Sequence, residues 1–90
     1  MSKGSRKRHQ ATFVYPADGV AKAYVAGDFN NWKPDEIRMT KRSGMFRKRL
    51  DLDPGEYQYK FIVDGKWCTD PAAAGQVPDG FGAMNSVVKV

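Results

Sequence analysis

The chain has 90 residues, 41% hydrophobic and 12% aromatic, with 15 Lys and Arg against 10 Asp and Glu. A chain of this length forms one small domain that buries only about 60% of its unfolded surface, which argues against the deep cleft of an enzyme. Lys3, Arg6, Lys7 and Arg8 carry much of the net charge of +5, and from residue 11 onward eleven cations face ten acids, a net +1. The charge excess therefore does not by itself indicate a nucleic-acid partner.

Cysteine content and hydropathy narrow the class of protein further. The lone Cys68 excludes an intramolecular disulfide and a cysteine-based zinc site, and a single free thiol suits a reducing compartment. Residues 1–10 are polar and basic, unlike a secretory signal, and we expect them to form a disordered tail. No segment approaches the roughly 20 apolar residues of a membrane span. We therefore expect a soluble, cytoplasmic protein without membrane contact, whose folded domain is residues 11–90.

Short apolar segments separated by turn residues predict an all-β domain. Nine Gly and five Pro are spread between these segments, and about seven short strands with frequent turn signals are typical of a β-sandwich. Residues 29–34 read as a polar loop and residues 70–82 as an ordered loop rich in Pro, Gly and Ala. The predicted strands are residues 11–15, 20–26, 37–40, 45–52, 57–63, 66–69 and 85–90.

One local patch of positive charge surrounds the turn at Ser43 and Gly44. In the strand that follows, Phe46, Leu50 and Leu52 are predicted to face inward and Arg47, Arg49 and Asp51 outward, while Lys48 interrupts the inward row. Such a patch suits a solvated strand edge that is kept from pairing with another chain, and it also suits binding to phosphate or to a membrane surface. The basic residues concerned are Lys41, Arg42, Arg47, Lys48 and Arg49.

The strongest local signal is the Asp64-Gly65 pair between two β-prone segments. Both positions of a two-residue hairpin loop favour positive φ, so Val63 is predicted to pair with Lys66 and Ile62 with Trp67. Because side chains alternate between faces, the core side receives Tyr57, Tyr59, Phe61, Val63 and Cys68. The outer side receives Gln58, Lys60, Ile62, Trp67 and Thr69.

An exposed indole beside a polar side chain is typical of a binding surface, but it does not by itself identify the ligand. Trp67 is predicted to lie diagonal to Lys60 across the hairpin. Indole rings offer a large, rigid contact area, and they stack on the apolar C–H faces of pyranose rings. Trp32, in a polar loop beside Asn30 and Asn31, is the second candidate. From spacing alone Trp67 could equally cover the edge of the sandwich, Trp32 could equally anchor its loop on the core, and Lys60 could be an ordinary solvated lysine.

The sequence offers little for catalysis. His9, the only histidine, lies in the basic tail, where no Ser–His or Cys–His pair can be held on a rigid element. No group of His, Cys and carboxylate residues has metal-ligand spacing, and no glycine-rich phosphate loop is present. We therefore predict neither an enzyme nor a cofactor. Turn formation explains the acids beside Gly or Pro without the paired carboxyls of a glycosidase, namely Asp18, Asp53, Asp64 and Asp79.

Four segments taken together resemble a known family. They are residues 26–32 (AGDFNNW), 54–67 (PGEYQYKFIVDGKW), 70–71 (DP) and 85–90 (NSVVKV). In this order and with these gaps they resemble the family-48 carbohydrate-binding modules, among them the glycogen-binding domain of the AMP-activated protein kinase β subunit. Modules of this family also precede the catalytic domains of isoamylases and branching enzymes. The resemblance covers about residues 11–90.

The resemblance implies an immunoglobulin-like, early-set β-sandwich that binds α-1,4-linked glucans such as glycogen or starch fragments. Trp32 and Trp67 would then stack on glucose rings, both exposed on one side and coplanar enough for a glucan helix to lie across them, while Lys60 and Asn85 would hydrogen-bond sugar hydroxyls. In the kinase domain a leucine contacts the centre of the curved glucan, and in this chain Phe81 is the residue nearest to that role, a departure in residue type. Ala83 replaces a threonine that is phosphorylated in the kinase domain, so that modification is not expected here.

Two other functions are weighed beside glucan binding. A module of the same fold could instead dock a glucan-metabolising enzyme or a kinase, with little affinity for sugar. An anionic polymer could bind the tail and the basic patch, and its binding would then depend steeply on salt. The patch and the tail are not part of the family pattern, and we do not expect nucleic acid as a partner. The resemblance favours glucan binding.

Overall fold

The computed structural model describes residues 9–90. Within this range no helix is long and apolar enough to cross a membrane, and a single 3-10 turn, Asp28–Asn30, follows the second strand. Nine strands are present in the described part of the chain. They are β1 (His9–Pro16), β2 (Ala23–Gly27), β3 (Ile37–Arg38), β4 (Thr40–Arg42), β5 (Met45–Leu52), β6 (Glu56–Val63), β7 (Lys66–Cys68), β8 (Gly75–Pro78) and β9 (Met84–Lys89).

The strands form two antiparallel sheets that pack as a sandwich. The smaller sheet has the order β1-β5-β4, and the larger has the order β3-β2-β6-β9-β8, with β7 pairing with β6. Strand β6 is central because it pairs with β2 through residues 59–63, with β7 through residues 61–63 and with β9 through residues 56–59. This confirms the predicted all-β, immunoglobulin-like sandwich, with two strand segments more than the seven expected.

Aromatic rings from both sheets form the core. Phe13 of the smaller sheet lies edge-on to Tyr59 of the larger, with ring centroids 4.9 Å apart, and Tyr15 meets Phe61 at 5.3 Å. These edge-to-face arrangements are favourable for aromatic quadrupoles. Burial of a ring such as Phe61, which is fully enclosed, stabilises the fold by about 1.5–3 kcal/mol. Of the core-side residues predicted for the hairpin, Tyr59, Phe61 and Val63 are buried in this core, Cys68 packs against it partly buried, and Tyr57 is only partly buried.

The central hairpin has the predicted register. Val63 pairs with Lys66 and Ile62 with Trp67, and both loop residues have positive φ, 48° at Asp64 and 85° at Gly65. The Asp64 carboxylate also accepts the Ala21 N–H at 3.0 Å, which ties the loop to the segment before β2. The Asp-Gly signal thus fixes both the turn and the face on which Trp67 lies.

Two predicted elements differ from the structure. One is the strand expected at residues 37–40, where the chain passes from the larger sheet to the smaller, and the other is the loop expected at residues 70–82. The single strand expected at residues 37–40 is divided, because β3 pairs with β2 whereas β4 pairs with β5. Met39 between them is buried, and its N–H donates to the Ala23 carbonyl at 2.9 Å. The loop expected at residues 70–82 contains β8, which pairs with β9 at the sheet edge. Pro is tolerated there, at the end of an edge strand.

The start of the domain also differs from the expected boundary. Strand β1 begins at His9, where His9 pairs with Leu52 and Gln10 with Asp51. Residues 9 and 10 therefore belong to the sandwich and not to the expected tail. The expectation of a disordered tail at residues 1–8 lies outside the described residues. The inward and outward residues of β5 follow the predicted alternation, with Phe46 buried and Arg47 and Arg49 exposed.

Candidate functional site

The predicted site residues meet at one pocket on the outer side of the larger sheet. This pocket, here called the tryptophan pocket, has a volume of about 430 Å³. Its residues come from the loop after β2, from β6 and β7, from the loop between β8 and β9, and from β9 itself. All five residues predicted from the sequence are among them, together with one acidic residue. The lining residues are Trp32, Lys60, Trp67, Asp79, Phe81 and Asn85.

Two indole rings lie side by side in the tryptophan pocket. The ring centroids of Trp32 and Trp67 are 6.5 Å apart, and the ring planes are inclined at 39°. Trp67 is 48% exposed, whereas Trp32 is partly buried. The indoles therefore share one surface, as the resemblance implies, and they form an angled pair.

The Trp32 backbone is held in an unusual conformation. Asn31 and Trp32 both have positive φ, 57° and 59°, which is rare for a bulky residue and costs of order 1–3 kcal/mol. The Trp32 N–H donates to the Gly27 carbonyl at 3.0 Å, and its indole Nε1–H donates to Asp28 Oδ1 at 3.1 Å. The other Asp28 oxygen accepts the Gln58 N–H at 2.8 Å. Asp28 therefore fixes the indole to strand β6.

Gly27 allows this loop to lie close to β6. Its φ is −174°, so the requirement is for space and not for an unusual dihedral angle. A Cβ atom built on Gly27 would lie 2.4 Å from the Gln58 carbonyl oxygen and 2.8 Å from the Tyr59 Cβ. The Gly27 N–H donates to Asn30 Oδ1 at 3.0 Å. The Gly-Asp-Phe-Asn-Asn-Trp segment is thus a compact unit that presents one indole.

Lys60 and Asp79, which both line the tryptophan pocket, form an ion pair. Lys60 Nζ lies 2.7 Å from Asp79 Oδ2, and the two side chains are 14% and 10% exposed. The other carboxylate oxygen of Asp79 accepts the N–H groups of Phe81, at 2.7 Å, and Ala83, at 3.1 Å. The Lys60 ammonium, followed by the Phe81 N–H, lowers the pKa of Asp79 to about 2. Asp79 is therefore ionised at neutral pH and organises the loop before β9.

Phe81 projects from the tip of that loop. Its side chain is 92% exposed, which is unusual for a large apolar residue outside a binding surface. The flanking Gly80 and Gly82 both have positive φ, 86° and 89°, so the loop turns sharply on each side of the ring. On the neighbouring strand, Asn85 Nδ2 donates to Gln58 Oε1 at 3.0 Å, which orients the Asn85 amide toward β6.

Two acidic residues that position the candidate site do not stand out in the sequence. Turn formation is sufficient to explain Asp79, and Asp28 is only one member of the Gly-Asp-Phe-Asn-Asn-Trp motif. Asp79 is 19 residues from Lys60 in the chain, so only the pairing of β8 with β9 and of β9 with β6 brings them together. For Asp28 the sequence does contain a signal: the residue lies four positions before Trp32, and its carboxylate is within reach of the indole N–H.

A second cavity lies elsewhere, beside β1 and the β8–β9 pair. It has a volume of about 720 Å³ and reaches Thr12, Val14 and Val87, but none of the five predicted site residues. At its base the Tyr59 hydroxyl donates to Asp70 Oδ2 at 2.5 Å, and burial raises the pKa of Tyr59. The Asp70 N–H donates to Ser86 Oγ at 2.9 Å. Asp70 of the Asp-Pro motif therefore has a structural role, because it links Tyr59 on β6 to Ser86 on β9.

Comparison with known proteins agrees with the sequence resemblance. Residues 9–90 match the family described as the glycogen recognition site of AMP-activated protein kinase. The chain belongs to this family. Among residues 9–90, no three His, Cys, Asp or Glu side chains lie together as a metal site would require. The family is a carbohydrate-binding, non-catalytic domain, and the match includes every strand of the sandwich.

Individual relatives show how this glycogen-recognition domain relates to longer proteins. The chain is 35% identical over 88 residues to the 5′-AMP-activated protein kinase subunit beta-1 of Sus scrofa, covering 98% of this chain and 69% of that sequence. It is 40% identical over 72 residues to the Bos taurus subunit, covering 80% of this chain but 26% of that sequence. A maltogenic amylase from S. marinus has the same fold, with a TM-score of 0.77 at 20% identity over 93% of this chain and 14% of that one.

Proposed function

We propose that this chain binds α-1,4-linked glucan, such as glycogen, starch fragments or maltooligosaccharide, without catalysing its conversion. The observation that carries the proposal is the tryptophan pocket, which brings together the five residues predicted from the sequence, two of them adjacent indoles. Membership in a glycogen-recognition family supports the same ligand class. Trp32, Lys60, Trp67, Phe81 and Asn85 are proposed as the binding residues.

The angled indole pair suits a curved ligand. A flat, β-linked ribbon would lie best on coplanar rings, whereas an α-1,4-linked chain bends from one glucose to the next. Rings inclined at 39° with centroids 6.5 Å apart allow the apolar faces of a bent chain to contact both indoles. The exposed Phe81 ring at the pocket edge adds a third apolar contact on the concave side of such a chain.

Polar groups around the rings match sugar hydroxyls, which both donate and accept hydrogen bonds. Lys60 has three N–H donors, of which one is directed to Asp79. Asn85 supplies an amide, and Asp79 supplies an acceptor. Because the pocket is shallow and its polar groups lose water on binding, we expect an affinity between micromolar and millimolar, or about −4 to −8 kcal/mol.

The test is a titration followed by intrinsic tryptophan emission. Maltoheptaose and β-cyclodextrin should change the emission, cellohexaose should not, and the protein should be retained on glycogen. Trp67→Ala should abolish retention, whereas Arg47→Ala, on the outer face of the opposite sheet, is the matched control. Unchanged emission with no retention on glycogen would refute the proposal. In that case the docking of an enzyme or kinase becomes the leading hypothesis.

A further inference from the structure

We propose that Asp79 makes the tryptophan pocket selective for uncharged glucan over glucan that carries phosphate groups. This inference rests on the proposed function and concerns the charge of the ligand. Among the six residues that line the pocket, Lys60 is the only cation and Asp79 the only anion. Their contact decides whether the pocket presents a positive charge or a neutral pair to a ligand.

An unpaired lysine in this position would attract phosphate. Ammonium groups form strong, charge-assisted hydrogen bonds with phosphate oxygens, and the low exposure of the Lys60 side chain, 14%, reduces screening by water. In this structure the Asp79 carboxylate at 2.7 Å takes one Lys60 donor and offsets its charge. A phosphate group near Lys60 therefore also lies near a carboxylate, and the attraction is largely cancelled.

Displacement of Asp79 by phosphate is opposed by the loop. The second Asp79 oxygen holds the Phe81 and Ala83 N–H groups, and the Asp79 N–H donates to the Ala83 carbonyl at 3.0 Å. The carboxylate cannot move away from Lys60 without loss of these bonds. A sugar hydroxyl meets no such barrier, because it can accept from a free Lys60 N–H and donate to a carboxylate oxygen.

Asp79→Asn separates the two roles of the side chain. The amide oxygen can still accept the Phe81 and Ala83 N–H groups, while the amide NH₂ that replaces Oδ2 cannot accept from Lys60. The experiment compares the Kd of maltoheptaose with the Kd of maltoheptaose carrying one 6-phosphate. The readout is the ratio of the two Kd values, phosphorylated over neutral, measured by calorimetry at low and high ionic strength. This ratio cancels any general effect of the substitution on binding.

We expect the ratio to fall by about tenfold in Asp79→Asn at low ionic strength, and the change to shrink at high ionic strength. Lys60→Gln should move the ratio the other way, because it leaves the carboxylate unpaired. This second variant keeps the test decisive if Asp79→Asn does not fold. A ratio that is the same in the wild type and both variants would overturn the inference. Failure of the wild type to bind maltoheptaose would instead refute the proposed function.

Discussion

Gly27→Ala tests whether the close approach of the Trp32 loop to β6 requires a residue without a side chain. The added Cβ would lie 2.4 Å from the Gln58 carbonyl oxygen and 2.8 Å from the Tyr59 Cβ. Neither atom is the end of a flexible side chain, so strand β2 or β6 must shift. Overpacking of this kind costs about 3 kcal/mol, which for a small domain lowers the Tm by about 12–24 °C.

The matched control is Gly75→Ala in strand β8. Its added Cβ would meet the Val87 Cβ at 3.5 Å, an ordinary contact, and alanine is preferred over glycine in a strand by up to about 1 kcal/mol. Both variants are compared with the wild type by urea unfolding, followed by circular dichroism. We expect Gly27→Ala to be clearly destabilised and Gly75→Ala to equal or exceed the wild type.

The same substitution should also disturb the indole of Trp32. Gly27 accepts the Trp32 N–H and donates to Asn30, so a displaced Gly27 moves the left-handed turn that presents the ring. An NMR spectrum of the indole N–H groups should show a shift for Trp32 larger than the shift for Trp67. If Gly27→Ala matched the wild type in both stability and indole spectrum, the packing argument for this motif would be wrong.

The remaining predictions concern binding, the buried network and acid stability. Trp67→Ala should weaken maltoheptaose binding by at least about tenfold in calorimetry, since a stacked ring contributes about 1.5 kcal/mol. In thermal unfolding the Tm of this variant should change little, because the Trp67 ring is 48% exposed. Tyr59→Phe removes the hydroxyl that donates to Asp70 and should destabilise the domain by about 1–3 kcal/mol in urea unfolding; an unchanged midpoint would contradict this. Asp79 has its pKa lowered from 3.8 to about 2 by Lys60 and the Phe81 N–H. Its contribution to stability is therefore complete above pH 4 and is lost as the pH falls toward 2, so Asp79→Asn should show a flatter loss of stability over that interval than the wild type.

Local patterns were sufficient to predict the parts of the site that lie on β6 and β7. The Asp64-Gly65 turn sets the register, and strict alternation then assigns Lys60 and Trp67 to the outer face. Ile62 was also assigned there correctly, but it is buried, because it lies between its paired neighbours Tyr24 and Trp67. Burial of an outward residue depends on the size of side chains on adjacent strands, which the pattern of one hairpin does not contain.

Long-range pairing explains what the sequence did not predict. Strand β8 has the composition of a loop, and it forms a strand because its backbone pairs with the free edge of β9. The strand predicted at residues 37–40 is divided at Met39 because β3, before it, pairs with the larger sheet and β4, after it, pairs with the smaller sheet. Likewise, the Lys60–Asp79 ion pair exists only after β9 has joined β6 to β8. Each of these features depends on contacts between distant segments, whereas single-sequence patterns report on neighbours.

Strand β6 links the core to the tryptophan pocket through alternate residues. Its inward residues Tyr59 and Phe61 pack in the core, while successive outward residues each hold a different part of the pocket. Gln58 binds Asp28 through its backbone and Asn85 through its side chain. Lys60 binds Asp79, and Ile62 pairs with Trp67.

Because the core fixes the register of β6, it also fixes the relative positions of the residues around the tryptophan pocket. A one-residue slip would turn Lys60 inward and break both the core and the pocket. The pocket is therefore formed before any ligand arrives, and binding needs little ordering of the protein. A glucan titration should accordingly perturb the NMR signals of the pocket residues while the amide signals of the smaller sheet stay in place. Widespread shifts in β1 and β5 would show instead that the ligand organises the domain.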